Sequence, residues 1–298
     1  NDGLNIALPE IAKGAGLDYE LCLSMGTVAG FVGVAMMLVI AKFRDRFGGR
    51  KVSAVLFIIF GLTFYFLFLR ASNIVMYAIS QCIMVSCGQG CFYLCTGPMQ
   101  SDWFPKKRGV VNGISTIGAN IGTAILAPIM TTLLTMAEYK TSLSVFAIAA
   151  VVLGIFAYLT LRDDPLDAGI YPDNVTKEVY EKEYKNISQK DEYVSDWTIP
   201  KMLKCKEVWL AAIVPGFITL GLLGIITQFV PRNVSLGLSQ EVAISAMTVA
   251  GLVGIIGSYA IGYIDTKIGT KKACMIYCGI FALGIAFNLL ASVWLPFA

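Results

Sequence analysis

The chain of 298 residues carries eight cysteines and no histidine. Cys87, Cys91 and Cys95 recur four apart along one face of an apolar run. Without histidine or nearby acids they lack the mixed donors of a metal site, and small apolar packing residues are what they resemble. A chain without histidine cannot build a Ser-His-Asp or Cys-His nucleophile, and no glycine-rich loop ends in Gly-Lys-Ser or Gly-Lys-Thr to hold phosphates. No catalysis, cofactor or metal is expected.

Electrostatics and polar recognition remain. The run Arg44-Asp45-Arg46-Phe47-Gly48-Gly49-Arg50-Lys51 sets one acid among cations in a tight turn. Gly48 and Gly49 permit backbone angles that a side chain forbids. Such a turn anchors topology, and Asp45 could also take an ion pair from a neighbouring bundle and gate its movement. The acid Asp2 precedes a short apolar piece and either caps a helix or carries a coupled proton or cation. Gln81, Gln89, Tyr93, Asn112, Thr116, Asn120, Gln228, Ser245, Thr248 and Asn288 interrupt apolar runs. Each either glues helices together or faces a cavity. The favoured cavity set is Asn1, Asp2, Gln89, Tyr93, Asn120, Gln228 and Thr248.

The elements that must position these residues are long and apolar. Hydrophobic residues make up 56% of the chain, charged residues 14%, and the mean hydropathy is +0.70. A soluble domain carries about 25% charge, and a core of this size cannot hide so much apolar surface, so the chain belongs in lipid. The net charge of +3 is small, and no basic patch interleaved with aromatics supports nucleic-acid binding. Eight stretches reach the roughly 20 residues that a crossing needs: Leu21–Ile40, Val52–Leu69, Ile74–Cys95, Val110–Leu134, Leu143–Leu161, Val208–Val230, Ala243–Ile264 and Ala273–Leu295. The piece Leu4–Ile11 reads as the end of a helix whose beginning is missing. The native protein is therefore expected to continue before Asn1 and after Ala298, completing that helix and adding three more.

Connections alternate in charge. Lys42 to Lys51, then Lys106, Lys107 and Arg108, then Lys267, Lys271 and Lys272 mark every second loop, which the positive-inside rule puts in the cytoplasm. Residues 163–206 are polar, are expected to form a solvated cytoplasmic central loop, and include a possible helix over Lys177–Lys190. They separate an N-terminal bundle, 1–162, from the start of a C-terminal bundle, 207–298. The two bundles are related by a repeat at an offset of 221 residues. Gly16, Leu17 and Glu20 return as Gly237, Leu238 and Glu241, and Thr27-Val-Ala-Gly-Phe-Val-Gly33 returns as Thr248-Val-Ala-Gly-Leu-Val-Gly254. Gly48 and Lys51 return as Gly269 and Lys272. The aligned loop residues Lys267, Gly269 and Lys271 mirror Arg46, Gly48 and Arg50, but Thr266 stands where Asp45 stood. Gly30, Gly33, Gly113, Gly118, Gly122, Gly251 and Gly254 are expected to pack helices closely, with the repeated helices flanking the interface between halves.

The turn Asp45-Arg46-Phe47-Gly48-Gly49-Arg50-Lys51, with Ala41 four before the acid, resembles the signature loop of the major facilitator superfamily. The segment Trp103-Phe104-Pro105-Lys106-Lys107-Arg108-Gly109, followed by Gly113 and Gly118, resembles its oxalate/formate and monocarboxylate-like branch. The resemblance implies an all-α polytopic membrane protein with a two-bundle fold, of which this chain holds about eight full crossings and part of the first. It implies alternating-access transport of a small carboxylate-like anion or polar metabolite, coupled to a proton or counter-solute, by a monomer in the plasma or inner membrane. In the oxalate/formate exchangers it also implies a basic ligand in the eighth crossing. Ala243–Ile264 has neither Arg nor Lys, which argues against oxalate. A non-transporting receptor or scaffold on the same fold, using the central loop as its binding surface, is the rival reading.

Overall fold

The computed structural model describes residues 2–184 and 199–290. Among the described residues the structure is helical, with no strand. The long elements are α1 (Asp2–Ala15), α2 (Tyr19–Phe47), α3 (Gly49–Phe68), α4 (Ile74–Trp103), α5 (Arg108–Met136), α6 (Tyr139–Thr160), α7 (Lys206–Ser235), α8 (Gln240–Ile268) and α9 (Thr270–Leu290). Seven of them are long and apolar enough to span a bilayer: α2, α3, α4, α6, α7, α8 and α9. The predicted crossing Val110–Leu134 lies within α5, 29 residues long, several of whose side chains are outside those described.

The chain forms two compact units. One comprises residues 1–112 and 122–177, the other 113–121 and 178–298. In the first unit α2 packs along α4 and α3 along α6. Small residues set the second contact. A side chain added at Gly61 would come within 2.7 Å of the Ala147 carbonyl, and one at Gly154 within 3.0 Å of the Ala54 carbonyl. Such close approach is how helices associate where lipid replaces water.

Two apolar clusters hold this unit at its ends. Ala7, Leu8, Ile11 and Ala12 of α1 join Cys22, Phe64, Phe68, Tyr77 and Leu143 at one end. Phe64 and Phe68 stack at 5.2 Å and Phe68 meets Tyr77 at 5.3 Å. A π-helical turn over Phe64–Phe68 ends α3 there. At the basic end, Ile40, Val52, Leu56, Cys87 and Cys95 pack together, with Cys91 against them. The cysteine stripe is therefore part of a core. Among the described residues no cluster of His, Cys, Asp or Glu could hold a metal ion. In the second unit α8 packs against both α7 and α9.

The internal repeat is visible in the backbone. Both α2 and α8 run 29 residues. Asp18 caps the first by accepting from the Leu21 amide at 2.8 Å, and Ser239 caps the second by accepting from the Val242 amide at 3.4 Å. Each helix ends on a glycine at positive φ, Gly48 at 85° and Gly269 at 84°.

Residues 163–206 are not a solvated linker throughout. Pro165, Pro172 and Asp173 are buried, and two 3-10 turns, Leu166–Ala168 and Pro172–Asn174, order the segment that follows α6. The segment is short and rich in Pro and Asp, so its polar groups dock on backbone donors rather than on water. Of the possible helix Lys177–Lys190, Lys177–Val179 is α-helical and Tyr180–Tyr184 is π-helical; its remainder, like the last residues of the predicted crossing Ala273–Leu295, lies outside the described residues.

Candidate functional site

The α2–α3 turn is a single residue long. Gly48 closes α2 by donating its N–H to the Arg44 carbonyl at 2.9 Å, and α3 starts at Gly49. A new helix leaves its first N–H groups without intrahelical partners, and a carboxylate there satisfies them and complements the helix dipole. Asp163, from beyond the end of α6, supplies it: Oδ1 accepts from the Arg50 N–H at 2.6 Å. The two glycines make the approach possible. A side chain on Gly48 would collide with the Asp163 carboxylate, and one on Gly49 would come to 3.2 Å from Asp163 Oδ1.

Arg50 completes the joint. Its Nε donates to the Tyr158 carbonyl at 2.7 Å, and its guanidinium lies 4.8 Å from the centre of the Tyr158 ring. Tyr158 sits in the last turn of α6, where carbonyls lack helical partners and a cation is favoured. The neighbouring carbonyls are also taken. Arg162 donates to Leu161 O at 2.9 Å, and Trp103 Nε1 donates to Arg162 O at 3.1 Å. Further on, Asp173 Oδ2 accepts from the Lys106 N–H at 3.1 Å. The segment 162–174 is thus a strap. It fastens the α2–α3 turn and the α4–α5 connection to the end of α6.

Asp45 takes no part in this joint. It is 72% exposed, and its ion-pair partner is the adjacent Arg44 at 3.5 Å. Arg46 and Lys51 are exposed, and Arg46 stacks over Phe47 at 5.3 Å. In the second copy, Gly269 donates to the Asp265 carbonyl at 3.0 Å, and Lys267 stacks over Tyr263 at 5.6 Å. Lys271 is exposed at the start of α9. Among the described residues no carboxylate reaches that helix start.

Of the cavity set, Gln89 and Tyr93 lie on α4, Gln228 on α7 and Thr248 on α8. Gln89 is half-buried, and its Oε1 lies against Gly33, where an added side chain would stand 2.8 Å away. Tyr93 lies one turn on, 59% exposed and edge-on to Phe92 at 5.1 Å. Gln228 on α7 is exposed and Thr248 on α8 is half-buried. Asn1 lies outside the described residues, and the side chains of Asp2 and Asn120 do too. Asn288 binds Arg232, which donates Nη1 to its side-chain oxygen and Nη2 to its carbonyl at 2.6 Å.

The glycines divide similarly. Gly33 is a packing seat for α4, with Gln89 and Val85 against it. Among the described residues, nothing stands where a side chain on Gly30 or Gly118 would go, and Leu126 is 4.0 Å from one on Gly122. Gly113 is buried; Gly251 and Gly254 are half-buried.

Sequence reasoning missed Asp163, Tyr158 and Asp173. The one available signal is position. Asp163 is the first acid after the apolar run of α6, two residues before Pro165.

The sequence pattern that defines the Major Facilitator Superfamily matches residues 1–298. The chain is 23% identical over 278 residues to the "Uncharacterized MFS-type transporter YhjX" of Escherichia coli K12, covering 92% of this chain and 64% of that protein. It is 24% identical over 222 residues to "Monocarboxylate transporter 12" of Rattus norvegicus, covering 69% of this chain and 44% of that protein. It is 29% identical over 126 residues to the "Glycerol-3-phosphate transporter" of Bacillus subtilis, covering 41% of this chain and 28% of that protein. The chain thus spans between about a quarter and two thirds of these relatives' lengths.

Proposed function

This chain belongs to the Major Facilitator Superfamily, and from that premise we propose that it is part of a secondary transporter moving a small organic anion or polar metabolite by alternating access. The observation that carries the reading is the duplicated helix–glycine–helix unit at the basic end of each half. Two related bundles around a midplane site are suited to rocking, and a rigid joint at the end of one bundle transmits that motion. Similarity to a monocarboxylate transporter and to a glycerol-3-phosphate transporter supports an anionic solute. The spans hold little charge, so the solute meets neutral donors first. Gln89, Tyr93, Asn120, Gln228 and Thr248 are the proposed set, with Asp2 for proton or cation coupling.

The basic end faces the cytoplasm in this reading, because Lys- and Arg-rich short loops stay inside. The α2–α3 turn then acts as a lever at that face. Arg50, Gly48 and Asp163 brace it within its bundle, and Asp45, Arg46 and Lys51 stay open to a partner surface.

The test is exchange of radiolabelled short-chain carboxylates by the intact protein in proteoliposomes, with and without a pH gradient. Accumulation that follows a solute or proton gradient supports transport. No uptake of any carboxylate or phosphate ester tested, with solute still bound, would instead make the protein a receptor.

A further inference from the structure

The second half of α2 carries a feature that the proposed solute set does not use. An exposed stripe descends the helix through Phe31 and Leu38, 76% and 72% exposed, and continues at helical spacing into Lys42 and Arg46. Beside these cations Phe43 and Phe47 stack at 6.1 Å with rings 16° apart, both about half exposed. Arg46 lies 5.3 Å from the Phe47 ring centre, which holds its guanidinium next to the aromatic pair. Neither Lys42 nor Arg46 is in an ion pair among the described residues; the pair at this end is Arg44–Asp45.

Length sets the depth of this patch. The apolar run Leu21–Ile40 covers about 30 Å at 1.5 Å per residue, the thickness of a hydrocarbon core. Lys42 to Phe47 then stand roughly 3–10 Å beyond it, within the headgroup layer. Apolar rings at that depth reach the acyl boundary while the cations meet phosphates.

We infer that Lys42, Phe43, Arg46 and Phe47 form a seat for an anionic phospholipid headgroup. Phosphate oxygens bind the two cations, and the upper acyl segment lies on the ring pair. The second copy is an internal control. Tyr263 replaces Lys42 and Ile264 replaces Phe43, so that copy has Lys267 as its cation at this level and no ring pair. The inference rests on α2 crossing the bilayer and is independent of the solute.

The test titrates the purified intact protein in detergent with short-chain phosphatidylglycerol, phosphatidylcholine and inorganic phosphate, read by native mass spectrometry. Phosphatidylglycerol should bind, with neither phosphatidylcholine nor free phosphate competing. A cation near an anionic surface is worth about fivefold in affinity, so the double change Lys42→Gln, Arg46→Gln should weaken phosphatidylglycerol roughly 20-fold. The double change Phe43→Ala, Phe47→Ala should weaken it less but measurably, and Lys267→Gln should leave it unchanged. Equal binding of both lipids, phosphate competing as well as lipid, or full affinity in the Lys42→Gln, Arg46→Gln protein would each overturn the seat. Solute exchange in pure phosphatidylcholine liposomes should persist in the Phe43→Ala, Phe47→Ala protein, which separates this result from failure of the transport reading.

Discussion

At the α2–α3 turn, Gly48 adopts φ 85° and the helix after it is capped by Asp163 and tied to Tyr158 through Arg50. At the α8–α9 turn, Gly269 adopts φ 84°, yet among the described residues no carboxylate reaches the start of α9. The two backbones turn alike while their surroundings differ. Local sequence, a capped helix ending in glycine, is enough to shape the turn. Its rigidity comes from a residue over a hundred positions away. A repeat can therefore preserve the shape of a hinge and still stiffen only one copy.

Substitution at the two glycines should separate shape from bracing. Both positions sit at ψ near 155°, in a region essentially reserved for glycine, so alanine at either should cost about 1–3 kcal/mol from backbone strain. Gly48→Ala should cost more, because its new methyl meets the Asp163 carboxylate. Thermal unfolding in detergent is expected to show a clearly larger drop for Gly48→Ala than for Gly269→Ala, and equal drops would mean that Asp163 does not hold the turn.

Asp163→Ala tests the brace directly. Loss of one helix cap costs about 1 kcal/mol, and the α2–α3 amides should exchange hydrogen faster while those of α8–α9 keep their rates. Next in size is Arg50→Lys, which keeps the charge but loses the planar group over Tyr158, worth about 0.5–1 kcal/mol at an exposed site. Lys271→Arg at the aligned position should leave the melting temperature unmoved. The smallest structural effect belongs to Asp45→Asn, whose ion pair with the adjacent Arg44 is exposed. It should leave stability unchanged and slow solute exchange severalfold; unaltered exchange would remove Asp45 from the gating role.

Much of the architecture could be read from composition. Runs of twenty apolar residues can go nowhere but lipid, and basic loops at alternate ends order them. The repeat was legible because Gly16, Gly48, Gly237 and Gly269 stand at turns, where substitution is restricted whatever the packing. The strap was not legible. Asp163 and Asp164 are neighbours of the same type, but Asp163 caps α3 and Asp164 caps its own turn through the Leu166 amide. Nothing local distinguishes them, since the choice is made by a helix start folded beside one of the pair. Trp103 donates its indole N–H to a carbonyl 59 residues on, a pairing that no local pattern signals. The seat of Gln89 against Gly33 was invisible in a pattern that records apolarity and not contact.

The π-helical stretch Gly90–Thr96 lies inside α4, and Thr96 Oγ1 accordingly bonds the Cys91 carbonyl five residues back. Each residue added to a helical turn rephases everything beyond it by about 100°. Trp103 lies beyond that stretch. Tightening of the stretch to ordinary α pitch would exchange its i→i+5 bonds for i→i+4 bonds and swing the indole off the Arg162 carbonyl. A change of pitch there would unlatch one loop, while the far end of α4, packed along α2 and against Phe68, would keep its contacts.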